Sequence, residues 1–209
     1  MAPNRKKHET RKKTDGRKRN PTGGTARRSL LIRFARATTS FGWIFVAETD
    51  RGICAIELGE PGNASFGRLR ARFPRAEFRE GDQEFAARVA RVAALVESPR
   101  RGLDLPLDIR GTAFQRTVWE ALRAIPPGKT ASYSEVARRI GRPAATRAVA
   151  RACASNVLAV AIPCHRVVRK DGEPGGYRWG ADRKRSLLDR EAPASGHPAR
   201  RKDSYAFSR

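Results

Sequence analysis

Apolar positions follow two spacings along the chain. Short runs dense in β-branched and aromatic residues come first. Residues 30–35, 43–47 and 53–58 each read as a strand, and Glu48-Thr49-Asp50-Arg51-Gly52 reads as a hairpin turn between the last two. Helical spacing follows. Asn63 can cap a short helix through about Arg72, and Phe85, Val89, Val92 and Val96 make one stripe over residues 84–97. These elements predict a small α/β unit with antiparallel strands.

The character changes after a Pro-flanked connector at residues 99–106. Thr112 can cap a helix through Ile125 with Phe114, Val118, Leu122 and Ile125 on one face, ended by Pro126-Pro127-Gly128. Ser134 can cap a short helix over residues 135–140, and Gly141-Arg142-Pro143 makes a tight turn. A third helix over 144–155 carries Arg147 and Arg151 four residues apart on one face. Helix, short glycine-containing turn and basic helix are the outline of a helix-turn-helix unit.

Charge strengthens that reading. The 209 residues carry 44 Lys and Arg against 21 Asp and Glu, a formal net charge of +23. Residues 29–111 hold 13 basic and 11 acidic side chains, whereas residues 112–191 hold 16 and 7. A nucleic acid is the first partner this implies, an anionic membrane surface the second, and a nucleic-acid face belongs in the later half. Residues 1–28 have 11 basic and 2 acidic side chains and no large apolar residue beyond Met1, so they are expected to be a disordered basic tail. Residues 193–209 are expected to be a second basic tail. The apolar runs fall short of a membrane span, and no signal-peptide stretch begins the chain. Three cysteines, Cys54, Cys153 and Cys164, lack C-x-x-C spacing, which argues against a disulfide framework or a zinc site and for reduced thiols in the cytoplasm.

Chemistry concentrates in one segment. The apolar run at residues 157–162 leads directly into Pro163-Cys164-His165-Arg166-Val167-Val168. A cysteine beside a histidine suggests a thiolate nucleophile, because imidazole can take the thiol proton. A core cysteine next to a surface histidine is the alternative. Adjacent side chains in extended backbone diverge, so a direct Cys–His contact requires a turn or a bridging water.

Residues 105–192 resemble the O6-alkylguanine-DNA alkyltransferases, also called methylated-DNA–protein-cysteine methyltransferases. The likeness is strongest to the C-terminal part of the bacterial adaptive-response protein. It rests on six ordered pieces: RGTAFQ from Arg110, TASY from Thr130, RAVARACASN from Arg147, IPCHRVV from Ile162, GYRWG from Gly176 and LLDRE from Leu187. Residues 32–56 resemble that family's N-terminal domain more loosely.

The resemblance implies an N-terminal α/β, ribonuclease H-like domain over 29–104. A mostly helical, winged helix-turn-helix-like DNA-binding and catalytic domain over 105–192 follows it. It implies a monomer that repairs double-stranded DNA containing O6-alkylguanine, with O4-alkylthymine a further candidate substrate, and that needs no cofactor and no metal. Cys164 would accept the alkyl group, His165 would take its proton through a water, and Glu191 would orient the imidazole. Asn156 would tie the third helix to an active-site strand. Tyr133 would protonate guanine N3, and Arg147 would fill the gap left by the extruded nucleotide. The backbone carbonyls of Val167 and Cys164 would read the exocyclic amine. Tyr177 would wall the pocket in the loop 175–180, with the Arg178 amide facing O6.

Departures from the family pattern carry their own expectations. With no cysteine before Cys54, the zinc-binding phosphotriester-repair domain of the adaptive-response protein is expected to be absent. Arg151 stands where many members have a small residue, so it reaches a phosphate or limits entry into the groove. Arg178 replaces the serine of some members and would narrow the pocket against bulky adducts. Competing functions are a DNA-bound lesion flag without chemistry and a cysteine hydrolase using Cys164 and His165; the first conflicts with the intact acceptor motif, the second lacks an oxyanion-hole signature.

Overall fold

The most apolar runs become neighbouring strands. In this computed structural model, which describes Met1 and residues 29–60 and 62–192, β1 (Leu31–Thr39), β2 (Gly42–Thr49) and β3 (Gly52–Gly59) form an antiparallel meander. The expected tails at 1–28 (Met1 apart) and 193–209 lie outside the described residues. β2 and β3 are buried along nearly their whole length, which is why their sequences are continuously apolar rather than alternating. A fourth strand, β4 (Glu77–Glu80), pairs in parallel with β1 and gives the order β3-β2-β1-β4. The sequence did not predict it: its four residues EFRE are mostly exposed and charged, as befits an edge.

Helices cover both faces of the sheet. α1 (Ala64–Arg72) lies over Ile32, Phe45 and Ala55, and the ring of its Phe66 contacts those of Phe34 and Phe78. α2 (Gln83–Glu97) packs on the other face through Phe85, Val89, Val92, Leu95 and Val96. Asp82 caps α2 by accepting from the Phe85 amide. Asn63 precedes α1 as expected, but its side chain makes no capping bond and accepts from Arg36 instead.

Later segments cover the free edge of β3. The Ile53 amide donates to Pro106 O and its carbonyl accepts from the Asp108 amide. The Ile56 amide donates to Val157 O and its carbonyl accepts from the Ala159 amide. Gly52 makes the first of these joins possible: at φ +129°, a Cβ there would stand 2.2 Å from Pro106 O. One apolar core therefore runs from Ile44 and Val46 in the sheet to Val118, Trp119, Val149, Ile162 and Leu187.

Four more helices follow: α3 (Ala113–Arg123), α4 (Tyr133–Arg139), α5 (Thr146–Ala154) and α6 (Ala181–Glu191). Thr112 caps α3 in a reciprocal capping box with Gln115, as the sequence suggested. The cap of α4 is Ser132, not Ser134, in a capping box with Glu135; Ser134 lies inside the helix and contacts Ser132 Oγ. Ser132 wins because the box needs an acid three residues on, and Glu135 supplies it. The basic helix begins with a 3₁₀ turn, Pro143–Ala145, before α5 proper.

The apolar run before the cysteine is not a strand. Residues 157–162 form an irregular buried loop that touches β3 at a single bridge, Ile56 to Leu158, with Val160 at φ +65°. Parallel pairing appears instead just after the cysteine, between β5 (Ala131–Ser132) and β6 (Val167–Val168). Among the described residues, no helix is long and apolar enough to cross a membrane.

Candidate active site

Cys164 opens a 3₁₀ turn, Cys164–Arg166, wedged between the buried loop and β6. That turn breaks the extended backbone that would have sent Cys164 and His165 to opposite sides. Asn156, at the end of α5, organises the approach. Its Oδ1 accepts from the Leu158 amide at 2.9 Å, while Nδ2 donates to Ile162 O at 2.9 Å and to Cys164 Sγ at 3.2 Å. One fully buried amide thus links the helix end, the loop and the sulfur. Its partners lie in a loop and a 3₁₀ turn rather than in the strand that the family resemblance implies.

His165 is buried completely, with Nε2 3.0 Å from Glu191 Oε1. Arg166 grips the same carboxylate with two bonds, Nε to Oε2 at 2.9 Å and NH2 to Oε1 at 2.8 Å, and donates NH1 to Ile125 O. Gly128 completes the set through its amide, 3.2 Å from Glu191 Oε2. Burial alone would raise the Glu191 carboxyl, but hydrogen bonds from His165 and Arg166 bring it down to about 2. Glu191 is therefore an anion at neutral pH. It accepts the Nε2 proton and leaves Nδ1 as the basic nitrogen. Nδ1 is buried and has no hydrogen-bond partner among the described residues. Burial, opposed by Glu191, lowers the imidazole pKa below its usual 6.5, so the resting ring is neutral.

Burial pushes the Cys164 thiol up to about 11, against the lowering effects of the Asn156 hydrogen bond and of Lys184. The resting sulfur is thus a thiol. Cys54 (pushed up to about 12) and Cys153 are raised by burial as well, and neither has an imidazole beside it in the chain.

The glycine-rich loop before α6 packs beside this cluster. Tyr177 and Trp179 stack edge to face at 5.1 Å. A Cβ on Gly175 would lie 3.7 Å from the Tyr133 hydroxyl, which places the first residue of α4 against this loop. Burial raises the Tyr133 phenol to about 12, with Cys153 and Cys164 contributing. Arg147 and Arg151 stand on the exposed face of α5, outside the buried cluster. The Arg178 side chain points to Glu57 and Ala154 O.

A model of the 6-O-methylguanine DNA methyltransferase DNA-binding domain matches residues 113–193. The inducible methylated-DNA–protein-cysteine methyltransferase of Bacillus subtilis is 38% identical over 152 residues, covering 72% of this chain and 85% of that protein. The chain belongs to the methylated-DNA–protein-cysteine methyltransferase family. It is also 52% identical to the Escherichia coli bifunctional transcriptional activator/DNA repair enzyme Ada over 164 residues, 78% of this chain but 46% of Ada, so it spans about half of that relative. Mycobacterium tuberculosis OGT in complex with DNA superposes with a TM-score of 0.62 at 32% identity, covering 78% of this chain and 96% of that one.

Within this methyltransferase fold, the residues singled out from the sequence separate into two groups. Cys164, His165, Asn156, Glu191, Val167, Tyr133 and Tyr177 gather around the buried sulfur and its loop; Arg147 and Arg151 face outward. Lys184 is the functional candidate that sequence reasoning missed. Its side chain is fully buried, and Nζ donates to Val167 O at 2.5 Å and to Gly176 O at 3.5 Å. Burial lowers its ammonium to about 8, while Cys164 and Cys153 raise it. The signal was present: Lys184, Leu187 and Glu191 recur at helical spacing, so two charges occupy the core stripe of α6.

Among the described residues, no group of three or more His, Cys, Asp or Glu is arranged to hold a metal ion.

Proposed function

We propose that this protein repairs double-stranded DNA by moving the alkyl group of O6-alkylguanine irreversibly onto Cys164, once per molecule. The observation that carries the reading is the buried Asn156–Cys164 contact beside the His165–Glu191–Arg166 cluster. A resting thiol needs a base, and the neutral Nδ1 of His165 is that base. The thiol proton passes through a bridging water to Nδ1, giving thiolate and an imidazolium held by Glu191. The sulfur then attacks the alkyl carbon in line, and the carbon–O6 bond breaks. Tyr133 gives its proton to guanine N3, so that the base leaves neutral. The Lys184 ammonium lowers the cost of the thiolate.

The alkyl carbon lies inside a stacked duplex, so a buried sulfur reaches it only if the nucleotide is extruded, at a cost of a few kcal/mol. Arg147 fills the vacated stack, while Arg151 holds a flanking phosphate. The carbonyls of Val167 and Cys164 read the exocyclic amine, Tyr177 closes the pocket, and the Arg178 amide faces O6. α4, the turn and α5 act as a helix-turn-helix of the winged type within a DNA-binding and catalytic domain of residues 105–192. Residues 29–104 form a ribonuclease H-like supporting domain. The protein works as a monomer in the cytoplasm. The product is a thioether, and no group in the site hydrolyses it, so one transfer consumes the molecule. Mixing enzyme with a limiting or excess lesion duplex tests this: methyl transferred saturates at one per protein, and continued turnover excludes the reading.

A further inference from the structure

β3 ends in a buried acid with no part in the chemistry above. Glu57 is 4% exposed. Arg68 of α1 donates Nε to its Oε2 at 2.7 Å, and Arg178 approaches its Oε1 with NH2 at 3.3 Å. Arg178 belongs to the pocket loop, flanked by Tyr177 and Trp179. Its other terminal nitrogen reaches Ala154 O, at the end of α5, at 3.5 Å. A single side chain therefore crosses from the loop to both the sheet and the basic helix.

The surroundings explain why the acid matters. A cavity of about 170 Å³ beneath this crossing is lined by Arg68, Arg72 and Arg178, and Glu57 is the single carboxylate on its wall. Burial and the nearby Arg178 charge lower the Arg72 guanidinium pKa, a sign of crowded positive charge. Without the carboxylate, three guanidiniums would face one another, and Arg178 would favour solvent. Gly172, Gly175 and Gly180 take positive φ in this loop, conformations that other residues rarely adopt. Side chains tie it to its surroundings: Arg183 NH1 donates to Trp179 O at 3.1 Å and Lys184 reaches Gly176 O at 3.5 Å.

We propose that Glu57 is a positioning residue for the alkyl-accepting site: by holding Arg178 it fixes the 175–180 wall and limits the size of O6-substituent admitted. The proposal rests on the alkyl-transfer reading above. It also shifts the effect of Arg178 on bulky adducts from simple obstruction to the tether between its guanidinium and Glu57.

Single-turnover transfer rates of the full chain on duplexes with O6-methylguanine and O6-benzylguanine test it. Arg178→Ala and Glu57→Gln each raise the benzyl-to-methyl rate ratio about threefold or more, because a loosened wall admits the larger group. A general loss of stability lowers both rates together and leaves the ratio alone. In the Arg178→Ala background, Glu57→Gln adds no further change in the ratio. An unchanged ratio in Arg178→Ala overturns the proposal, as does a Glu57→Gln effect that persists without Arg178. Should Glu57→Gln fail to fold, Arg178→Met decides, since it keeps the bulk but not the tether of a side chain that is 27% exposed and outside the core: a raised ratio supports the proposal and an unchanged one overturns it. Absence of methyl transfer by the unsubstituted chain is a different result, and it removes the alkyl-transfer reading itself.

Discussion

His165 Nε2 lies 3.0 Å from Glu191 Oε1, and this contact assigns the imidazole proton. An ionised carboxylate takes the Nε2 hydrogen, so Nδ1 is free to act as the base. The pair also links stability to pH. Glu191 titrates near 2 in the folded chain against 4.5 for an ordinary glutamate, so its contribution is full above 4.5 and is lost as pH falls toward 2. A shift of that size is worth about 3 kcal/mol. His165, with a lowered pKa, contributes fully above 6.5 and loses that share as pH drops below it. Denaturant midpoints measured from pH 7.5 to 3 should decline first below 6.5, through His165, and then below 4.5, through Glu191. In Glu191→Gln the decline below 4.5 flattens.

Glu191→Gln also leaves the Arg166 guanidinium buried without its carboxylate. We expect a loss of about 3–5 kcal/mol in stability. Methyl transfer falls by about 10²-fold or more, because the imidazole loses its fixed tautomer. Rates compared at equal folded fraction separate the two effects, and a normal rate would remove Glu191 from the mechanism.

Asn156→Ala strands the Leu158 amide in the interior, while the Ile162 carbonyl keeps the Cys164 amide as its donor. Stability drops by about 1–3 kcal/mol, measured by urea unfolding, for one buried group left unpaired. Thiol titration with a small alkylating reagent shifts to higher pH, because the Nδ2 bond to Sγ is gone. A thiol profile identical to that of the parent contradicts the assignment.

Lys184 places an ammonium in the core at some cost. Its pKa of about 8 in the fold against 10.5 outside means that neutral pH opposes its burial. Lys184→Met should therefore raise the melting temperature while slowing alkyl transfer, a trade of stability for activity. A variant both less stable and equally fast contradicts this role.

Much of this site was legible in the sequence because motif order fixed its identity: IPCHRVV, RACASN and LLDRE name the sulfur, the amide and the carboxylate. Local patterns also found three strands and the helices α1 to α5, since period-2 and period-3.6 spacings are read directly from apolar positions; α6, with Lys184 and Glu191 on its buried stripe, was not among them. β4 escaped because an edge strand of charged residues has no apolar signature. The apolar run at 157–162 told only that the segment is buried, because buried loops can be as apolar as buried strands; the single bridge at Ile56 and the left-handed Val160 reveal a loop. Arg166 was seen as part of a motif, yet its bidentate grip on Glu191 spans 25 positions in the chain and leaves no local trace. The Glu57–Arg178 contact spans 121 and is equally invisible.

The roles proposed for Tyr133 and Arg147 divide chemistry from access. Tyr133→Phe slows transfer by about 10²-fold on duplex and on single-stranded lesion alike, because the lost proton donor acts on the base itself. Arg147→Ala slows it chiefly on the duplex, where extrusion must be supported. Transfer rates on both substrates check this, and equal duplex and single-strand defects in Arg147→Ala would exclude its role in extrusion.

The identity of the acceptor is tested most directly by mass spectrometry of the intact chain and its peptides after incubation with O6-methylguanine duplex. One methyl mass should appear on the peptide containing Cys164, saturating at one per molecule, and Cys164→Ala should gain none. A methyl group on Cys54 or Cys153, or product released over many turnovers with the protein mass unchanged, would contradict it.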